Sequence, residues 1–171
     1  LEGQMAVLRG NIANNDANIA RIEEELRGSD DRSGGVEEQT WKFACSATDN
    51  TCWADMGRDF GKMISEATDG AITVQVYAAD QLTSGNQTEG IQGVIDGTID
   101  LSAHSNIIYA NFDQRLNVVS MPFLFDSYED VDAKLTGEAG AAVGKVVESQ
   151  GLKLLGVGEN GFRAVTNNVR A

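Results

Sequence analysis

The strongest limit on the fold comes from the order in which apolar residues repeat from Trp41 onward. In residues 71–77 they alternate with polar residues, as on a half-buried strand, whereas in residues 53–67 they recur every three or four positions, as on one face of a helix. Strands that alternate with helical connections favour an α/β unit with a mostly parallel sheet flanked by helices. The pattern predicts strands over 41–47, 71–77, 99–103, 118–121 and 152–157, and helices over 53–68, 86–96 and 128–150.

Glycines mark the ends of the predicted helices. Gly97 follows the second helix directly, and Gly151 follows the third at the position expected for a C-cap glycine. The third helix also contains Gly137, Gly140 and Gly144, which weaken its continuity because glycine has a low helix propensity. The third helix is therefore the least regular of the three.

Polar segments follow three predicted strands where those strands end, at residues 46–50, 103–106 and 159–163. In an open α/β sheet, ligands bind outside the carboxyl ends of the strands, near a switch in strand order. Arg163 offers a planar fork of donors that suits a carboxylate, and the alternative is a surface arginine paired with Glu159. His104 lies in the second segment, where a solvated or hydrogen-bonded histidine is the commoner role.

Residues 1–27 carry a different pattern, an apolar stripe at alternating spacings of four and three. This repeat predicts a coiled-coil-like helix with Asn15 as its polar layer. Two interpretations stay open: self-association through residues 1–26 into a homo-oligomer, or a helix docked on the chain's own domain. The glycine- and serine-containing stretch that follows predicts a flexible linker over residues 28–39. A secretory signal peptide is not predicted here, because the segment has no compact apolar core.

The charge of the chain limits what it binds. Its 26 acidic and 13 basic residues give a net charge of −13, which repels nucleic-acid phosphates and anionic membrane surfaces. No apolar run approaches the ~18 residues of a membrane-spanning helix. One histidine and two cysteines are too few for an all-cysteine and histidine zinc site, and no dinucleotide or P-loop glycine pattern follows the first strand. The sequence predicts no metal, no cofactor and no enzymatic activity.

The two cysteines, Cys45 and Cys52, have two interpretations. They are close enough along the chain to form a small disulfide-bonded loop in an oxidising compartment. The other interpretation is a pair of small, partly buried thiols. The spacing alone does not decide, because a disulfide needs Cα atoms within roughly 7 Å of each other.

Five motifs follow one another over residues 40–168: TWKFACSATDN, DFGKMISEATDGAITVQVYAADQL, EGIQGVIDGTIDLSAHS, MPFLFDSYEDV and GLKLLGVGENGFRAVTNN. In this order they resemble the periplasmic solute-binding proteins of TRAP transporters, of the dicarboxylate-binding type. The resemblance implies a two-lobed clamshell in the periplasm that captures a small organic acid. It implies delivery of that acid to the membrane subunits of an ion-gradient-driven TRAP transporter.

The same resemblance assigns residues 40–171 to the first lobe, a periplasmic-binding-protein-like α/β unit, with the second lobe absent from this chain. One lobe alone is then expected to bind its ligand weakly. The alternative function is a coiled-coil assembly or scaffold protein that carries a non-binding lobe.

The resemblance also implies where the ligand binds. Contacts would come from the loops after the first and third strands and from the arginine of the G-x-R motif. His104 stands where relatives have a polar or acidic side chain, so the identity of the acid stays open. The implied ligand-binding residues are Ser46, Asn50, His104, Ser105, Asn106 and Arg163.

Overall fold

The structure is a computed structural model, and it describes residues 36–162. The predicted heptad helix over 1–27, with Asn15, lies outside the described residues. So do most of the predicted linker over 28–39 and the candidate ligand residue Arg163.

The described residues form a sheet of three parallel strands: β1 (Gln39–Cys45), β2 (Ile72–Tyr77) and β3 (Leu101–Ala103). Their order is β2-β1-β3, so β1 is central and the direction of connection reverses there. Phe43 is in register with Val76 on one side and Leu101 on the other. This reversal is the switch in strand order beside which ligands bind in open α/β sheets.

Two helices connect these strands. Helix α1 (Cys52–Ala67) leads from β1 to β2, and helix α2 (Gln87–Ile95) leads from β2 to β3 after a 3₁₀ turn over Gln81–Thr83. Asn86 caps α2, because its side chain accepts hydrogen bonds from the amides of Thr88 and Glu89. The alternating strands and helices confirm the predicted α/β unit with a parallel sheet.

Helix α1 lies directly on the sheet because two of its glycines face the strands. A Cβ on Gly57 would lie 2.6 Å from the ring of Phe43, and one on Gly61 would lie 2.8 Å from Cβ of Val74. Side-chain carbons do not approach this closely, so glycine is required for the packing. The buried cluster beneath α1 contains Phe43, Cys45, Ala54 and Ala78.

The remaining helices are α3 (Asn106–Tyr109), a 3₁₀ helix (Gln114–Ser120), α4 (Tyr128–Leu135) and α5 (Glu138–Glu148). The single predicted helix over 128–150 is therefore wrong, because the chain breaks between α4 and α5. Gly137 is extended there, and a Cβ on Gly140 would lie 1.7 Å from the carbonyl oxygen of Leu135. Gly137 and Gly140, two of the three glycines that weakened the predicted helix, permit this tight corner.

Two predicted strands are absent from the described residues. Residues 118–120 belong to the 3₁₀ helix and Met121 follows it as the C-cap residue, while Asp113 caps its start by accepting from the amide of Arg115. Residues 152–157 make no strand pairing there, and Leu152 and Leu154 instead pack beside the cluster of Ala110, Leu116 and Val147. Buried and exposed positions alternate in this segment as they do in a strand, because Leu152 and Leu154 on one side of it pack against α5.

No helix among residues 36–162 has both the length and the apolar character needed to cross a bilayer.

Candidate functional site

A cavity of about 350 Å³ lies where β1 and β3 end, and we call it the strand-end pocket. It combines residues from the loop after β1, the first turn of α1, the start of α2, the loop after β3 and the segment near residue 160. The pocket is lined by Ser46, Ala47, Thr51, Cys52, Trp53, Gln87, Ser105 and Asn160. Its place beside the switch in strand order is the one expected for a ligand site.

Ser46 reaches the pocket because β1 ends directly before it. The loop is fixed from the neighbouring strand: the amide of Asp80 donates to the carbonyl of Cys45 at 3.0 Å, and the amide of Ala79 donates to that of Ala47 at 2.8 Å. Cys45 itself is fully buried. A rigid strand end thus carries Ser46 and Ala47 into the wall of the pocket.

The first turn of α1 forms another wall. Thr51 occupies the N-cap position, but its hydroxyl donates to the carbonyl of Thr48 at 2.6 Å and does not cap the helix. The first N–H groups of a helix lack intrahelical partners, and the helix dipole makes this end positive. The first turn therefore brings hydrogen-bond donors and a partial positive charge to the pocket through Cys52 and Trp53.

Asn50 is an exposed loop residue and does not line the pocket. Its Oδ1 accepts a hydrogen bond from the hydroxyl of Thr48 at 3.0 Å. Asn50 thus shapes the turn before α1. Its predicted contact with a ligand has no counterpart in the lining of this pocket.

Ser105 and Asn106 begin α3, but only Ser105 lines the pocket. Ser105 is the N-cap residue, and its hydroxyl accepts from the amide of Ile107 at 3.3 Å. The side-chain amide of Asn106 donates to the carbonyl of Leu116 at 3.0 Å and to the hydroxyl of Ser120 at 2.7 Å. Asn106 therefore ties α3 to the 3₁₀ helix, and Ser105 faces the site.

His104 does not line the pocket, although the next residue, Ser105, does. Its Nε2 lies 2.6 Å from Oδ1 of Asp80, and both side chains are almost fully buried, at 0% and 2% exposed. Helix α2 packs over the pair at Gly90, where a Cβ would lie 3.0 Å from Asp80 Oδ1 and 3.1 Å from His104 Nε2. The pair joins the loop after β2 to the loop that presents Ser105.

Gln87 and Asn160 line the pocket but are missing from the predicted ligand residues. Asn160 lies inside the polar segment 159–163, in which Arg163 is the ligand residue that the resemblance implies. Gln87 is the first residue of α2. The one feature of the sequence that points to it is Asn86, the N-cap residue, which marks where this helix starts.

Glu159 stands beside Asn160 and has an unusual environment. Burial raises its pKa to about 7, and the nearby carboxyls of Asp132 and Glu129 add to the rise. Burial also raises the pKa of the Cys45 thiol, and both Cys45 and Cys52 are free thiols in the structure. The structure does not pair these two cysteines in the disulfide considered above.

The pocket offers hydroxyl groups, side-chain amides and the start of a helix. These groups donate and accept hydrogen bonds and suit a small, hydroxylated, anionic molecule. The described residues contain no group of three or more candidate metal ligands. The arrangement is thus one for holding a polar ligand.

Fold and pocket together define an α/β unit with a candidate ligand pocket at the ends of its parallel strands. The sequence model for bacterial extracellular solute-binding protein, family 7 (DctP) matches residues 43–171, and the chain belongs to this family. The 2,3-diketo-L-gulonate-binding periplasmic protein YiaO of Escherichia coli is 28% identical over 136 residues, which are 80% of this chain and 41% of that protein. The chain thus spans about two fifths of the length of the curated relatives that it matches.

Two solved structures show the same fold. A TRAP periplasmic solute-binding protein from Haemophilus influenzae, with bound L-gulonate, superposes with a TM-score of 0.66 at 25% identity, covering 72% of this chain and 40% of that one. A TRAP periplasmic solute-binding protein from Sulfitobacter, with bound β-D-galacturonate, superposes with a TM-score of 0.62 at 28% identity. The match covers 66% of this chain and 37% of that one. These similarities confirm the resemblance to TRAP solute-binding proteins that the five motifs indicated.

Proposed function

We propose that this chain forms the first lobe of an extracytoplasmic binding protein that captures a small organic acid for a TRAP-type, ion-gradient-driven transporter. The observation that carries the proposal is the strand-end pocket, which joins Ser46, Ser105 and Asn160 beside the switch in strand order. Membership of the family 7 solute-binding proteins supports it. The chain would bind and release its ligand without chemical change.

The ligand class follows from the pocket lining and from the relatives. Hydroxyl and amide groups match the hydroxyls of a sugar acid, and the first turn of α1 favours a negative charge. One relative is named for binding 2,3-diketo-L-gulonate, and two similar structures hold L-gulonate and β-D-galacturonate. A sugar acid is therefore the ligand class that we propose.

Arg163 would supply the full positive charge. It follows Asn160 by three positions in the motif GENGFR, where the resemblance places the carboxylate-binding arginine. A charge-assisted hydrogen bond contributes about 1.5–3 kcal/mol. Loss of this contact should therefore weaken binding by roughly 10-fold to 100-fold.

The partners and the location are also proposed. The family description is extracellular, and the two similar structures are periplasmic proteins of TRAP systems. We infer that the ligand-loaded protein delivers its acid to TRAP membrane subunits from outside the cytoplasm. The matched region covers 41% of each of two relatives, and we propose that it supplies one wall of a binding cleft.

Isothermal titration calorimetry of the 171-residue chain tests the proposal. We expect saturable binding of L-gulonate or D-galacturonate and much weaker binding of D-galactose, which has the hydroxyls without the carboxylate. Arg163→Ala should abolish the preference for the acid, whereas Arg115→Ala should keep it, because Arg115 pairs with Asp113 away from the pocket.

Equal affinity of the Arg163 variant and the unmodified chain would contradict the assignment of this arginine. Equal affinity for D-galactose and D-galacturonate would contradict the proposed ligand class.

A further inference from the structure

Glu159 is a half-buried acid whose carboxyl group meets no hydrogen-bond donor among the described residues. Both carboxyl oxygens are shielded from solvent, and neither meets a donor among the described residues. An ionised carboxylate in such a position loses its hydration without compensation, which favours the protonated form. The segment that carries Glu159 therefore docks best when this side chain holds a proton.

The groups that face Glu159 come from α4 and favour the same form. Asp132 is within hydrogen-bonding reach, and Glu129 adds a second negative charge nearby. Among residues 36–162, no lysine, arginine or histidine forms an ion pair with Glu159. Two carboxylates have no proton to share, whereas a protonated Glu159 can donate its O–H to Asp132.

A second contact holds the same segment on α4. The ring of Phe162 packs edge-to-face on Tyr128, with centroids 5.0 Å apart. Gly161 lies between Glu159 and Phe162 and has a φ of +94°. Its backbone is near α4, since a Cβ there would lie 3.4 Å from the Tyr128 hydroxyl. Asn160 is thereby held between Glu159 and Phe162, in the wall of the strand-end pocket.

We propose that Glu159 docks on α4 in its protonated form, that this docking positions Asn160 in the pocket, and that ligand binding at this wall is therefore coupled to proton uptake from water. The inference rests on the proposed binding function. Glu159 acts as a positioning residue, because it reaches the ligand only through Asn160. Raising the pH would ionise Glu159, release the segment and withdraw Asn160 from the pocket.

The size of the coupling follows from proton linkage. In the docked segment the pKa of Glu159 is raised from 4.5 to about 7, mainly by burial. A raised pKa means that the docked state binds the proton more tightly, so docking is fully favoured below pH 4.5 and is lost as the pH rises through about 7. Between about pH 6 and about pH 8 the equilibrium constant for docking of the segment should decrease by roughly tenfold.

The first arm of the test needs no ligand. We would record ¹⁵N spectra of the full chain from about pH 5 to about pH 8.5, following the side-chain amide of Asn160 and the backbone amide of Phe162. Both should move with one transition near neutral pH. Glu159→Gln, a neutral mimic of the protonated acid, should remove the transition, and Asp132→Asn should shift it to lower pH. Glu37→Gln changes an exposed acid before β1 and should leave it unchanged.

The second arm measures L-gulonate affinity by calorimetry at about pH 6 and about pH 8, where we expect up to roughly tenfold weaker binding at the higher pH. Glu159→Gln should make the two affinities equal, and Glu37→Gln should keep them different.

Each outcome supports or overturns a stated part of the inference. Amide signals that do not titrate, or that titrate alike in the Glu159→Gln variant, would overturn proton-dependent docking. Titrating signals with a pH-independent affinity would overturn the coupling to ligand. Titrating signals without L-gulonate binding at either pH would overturn the coupling to this acid and count against the proposed function, while proton-dependent docking would stand.

Discussion

Replacing Asp80 should reveal how much the buried contact with His104 stabilises the site. Asp80 combines three properties: its side chain is buried, its Oδ1 lies 2.6 Å from His104 Nε2, and its φ is +50°. Asp80→Ala removes the acceptor and leaves a buried imidazole N–H without a partner. A hydrogen bond to a charged group contributes about 1.5–3 kcal/mol. The left-handed backbone adds about 1 kcal/mol, because alanine tolerates positive φ less well than aspartate.

Asp69 provides a matched control for the backbone contribution. It also has a φ of +50°, but it is exposed at the end of α1. Asp69→Ala should therefore lower the free energy of unfolding only by the cost of placing alanine at positive φ, about 1 kcal/mol. Asp80→Ala should lower the free energy of unfolding by about 1.5–3 kcal/mol more than this control. For a chain of this length that difference corresponds to a fall in Tm of roughly 3–12 °C beyond the control.

The assay is urea unfolding followed by tryptophan fluorescence and circular dichroism, with Asp80→Asn as an intermediate. Asparagine accepts positive φ and keeps an oxygen for His104, so this variant should lose only the charge assistance, about 1 kcal/mol. Because His104 is the only histidine, its imidazole resonance reports directly on the contact and should shift in both Asp80 variants. Equal decreases in the free energy of unfolding for Asp80→Ala and Asp69→Ala would refute the argument that the buried pair stabilises the α/β unit.

Three further predictions test the packing and the thiols. Gly61→Ala should destabilise the α/β unit by about 1–3 kcal/mol through overpacking on the sheet. Gly144→Ala, which has room in α5, should stabilise it by up to about 1 kcal/mol in the same urea assay. Asn106→Ala should cost about 1–2 kcal/mol, because two hydrogen bonds to the 3₁₀ helix are lost, and unchanged stability would contradict its bridging role. A maleimide should label the exposed Cys52 rapidly and Cys45 only on unfolding, since burial covers the Cys45 thiol and raises its pKa; equal labelling rates would contradict this.

The sequence predicted the sheet and its first two helices because local signals there agree with the tertiary structure. The predicted helix over 86–96 differs from α2 by one residue at each end, since Asn86 caps its start and Gly97 follows its end with a φ of +73°. The strand over 99–103 shortened to β3 for a tertiary reason: the carboxylate of Asp100 accepts from the amide of Lys42. Such a contact between distant residues leaves no trace in local periodicity.

The lining of the candidate pocket agrees with the predicted polar segments better than with the individual predicted residues. The three polar segments do meet at the strand ends, but spacing does not specify which side chains turn toward the pocket. Ser46 and Ser105 line it, whereas Asn50 and His104 are engaged by Thr48 and Asp80. The partner of His104 lies 24 positions earlier in the chain, on a loop whose backbone curls through positive φ. A histidine with a buried carboxylate partner becomes a support for the pocket wall.

A net charge of −13 argues against nucleic acids as ligands but does not argue against a small anion at the strand-end pocket. Long-range repulsion acts on an extended polyanion, whereas charges more than a Debye length of about 8 Å from a small ligand are largely screened. What such a ligand meets is set by the groups around it: the first turn of α1, the neutral hydroxyl and amide groups, and the charge state of Glu159 beside Asn160. Protonation of Glu159 removes a negative charge next to this wall, so the step that docks the segment also makes the pocket more favourable for an acid.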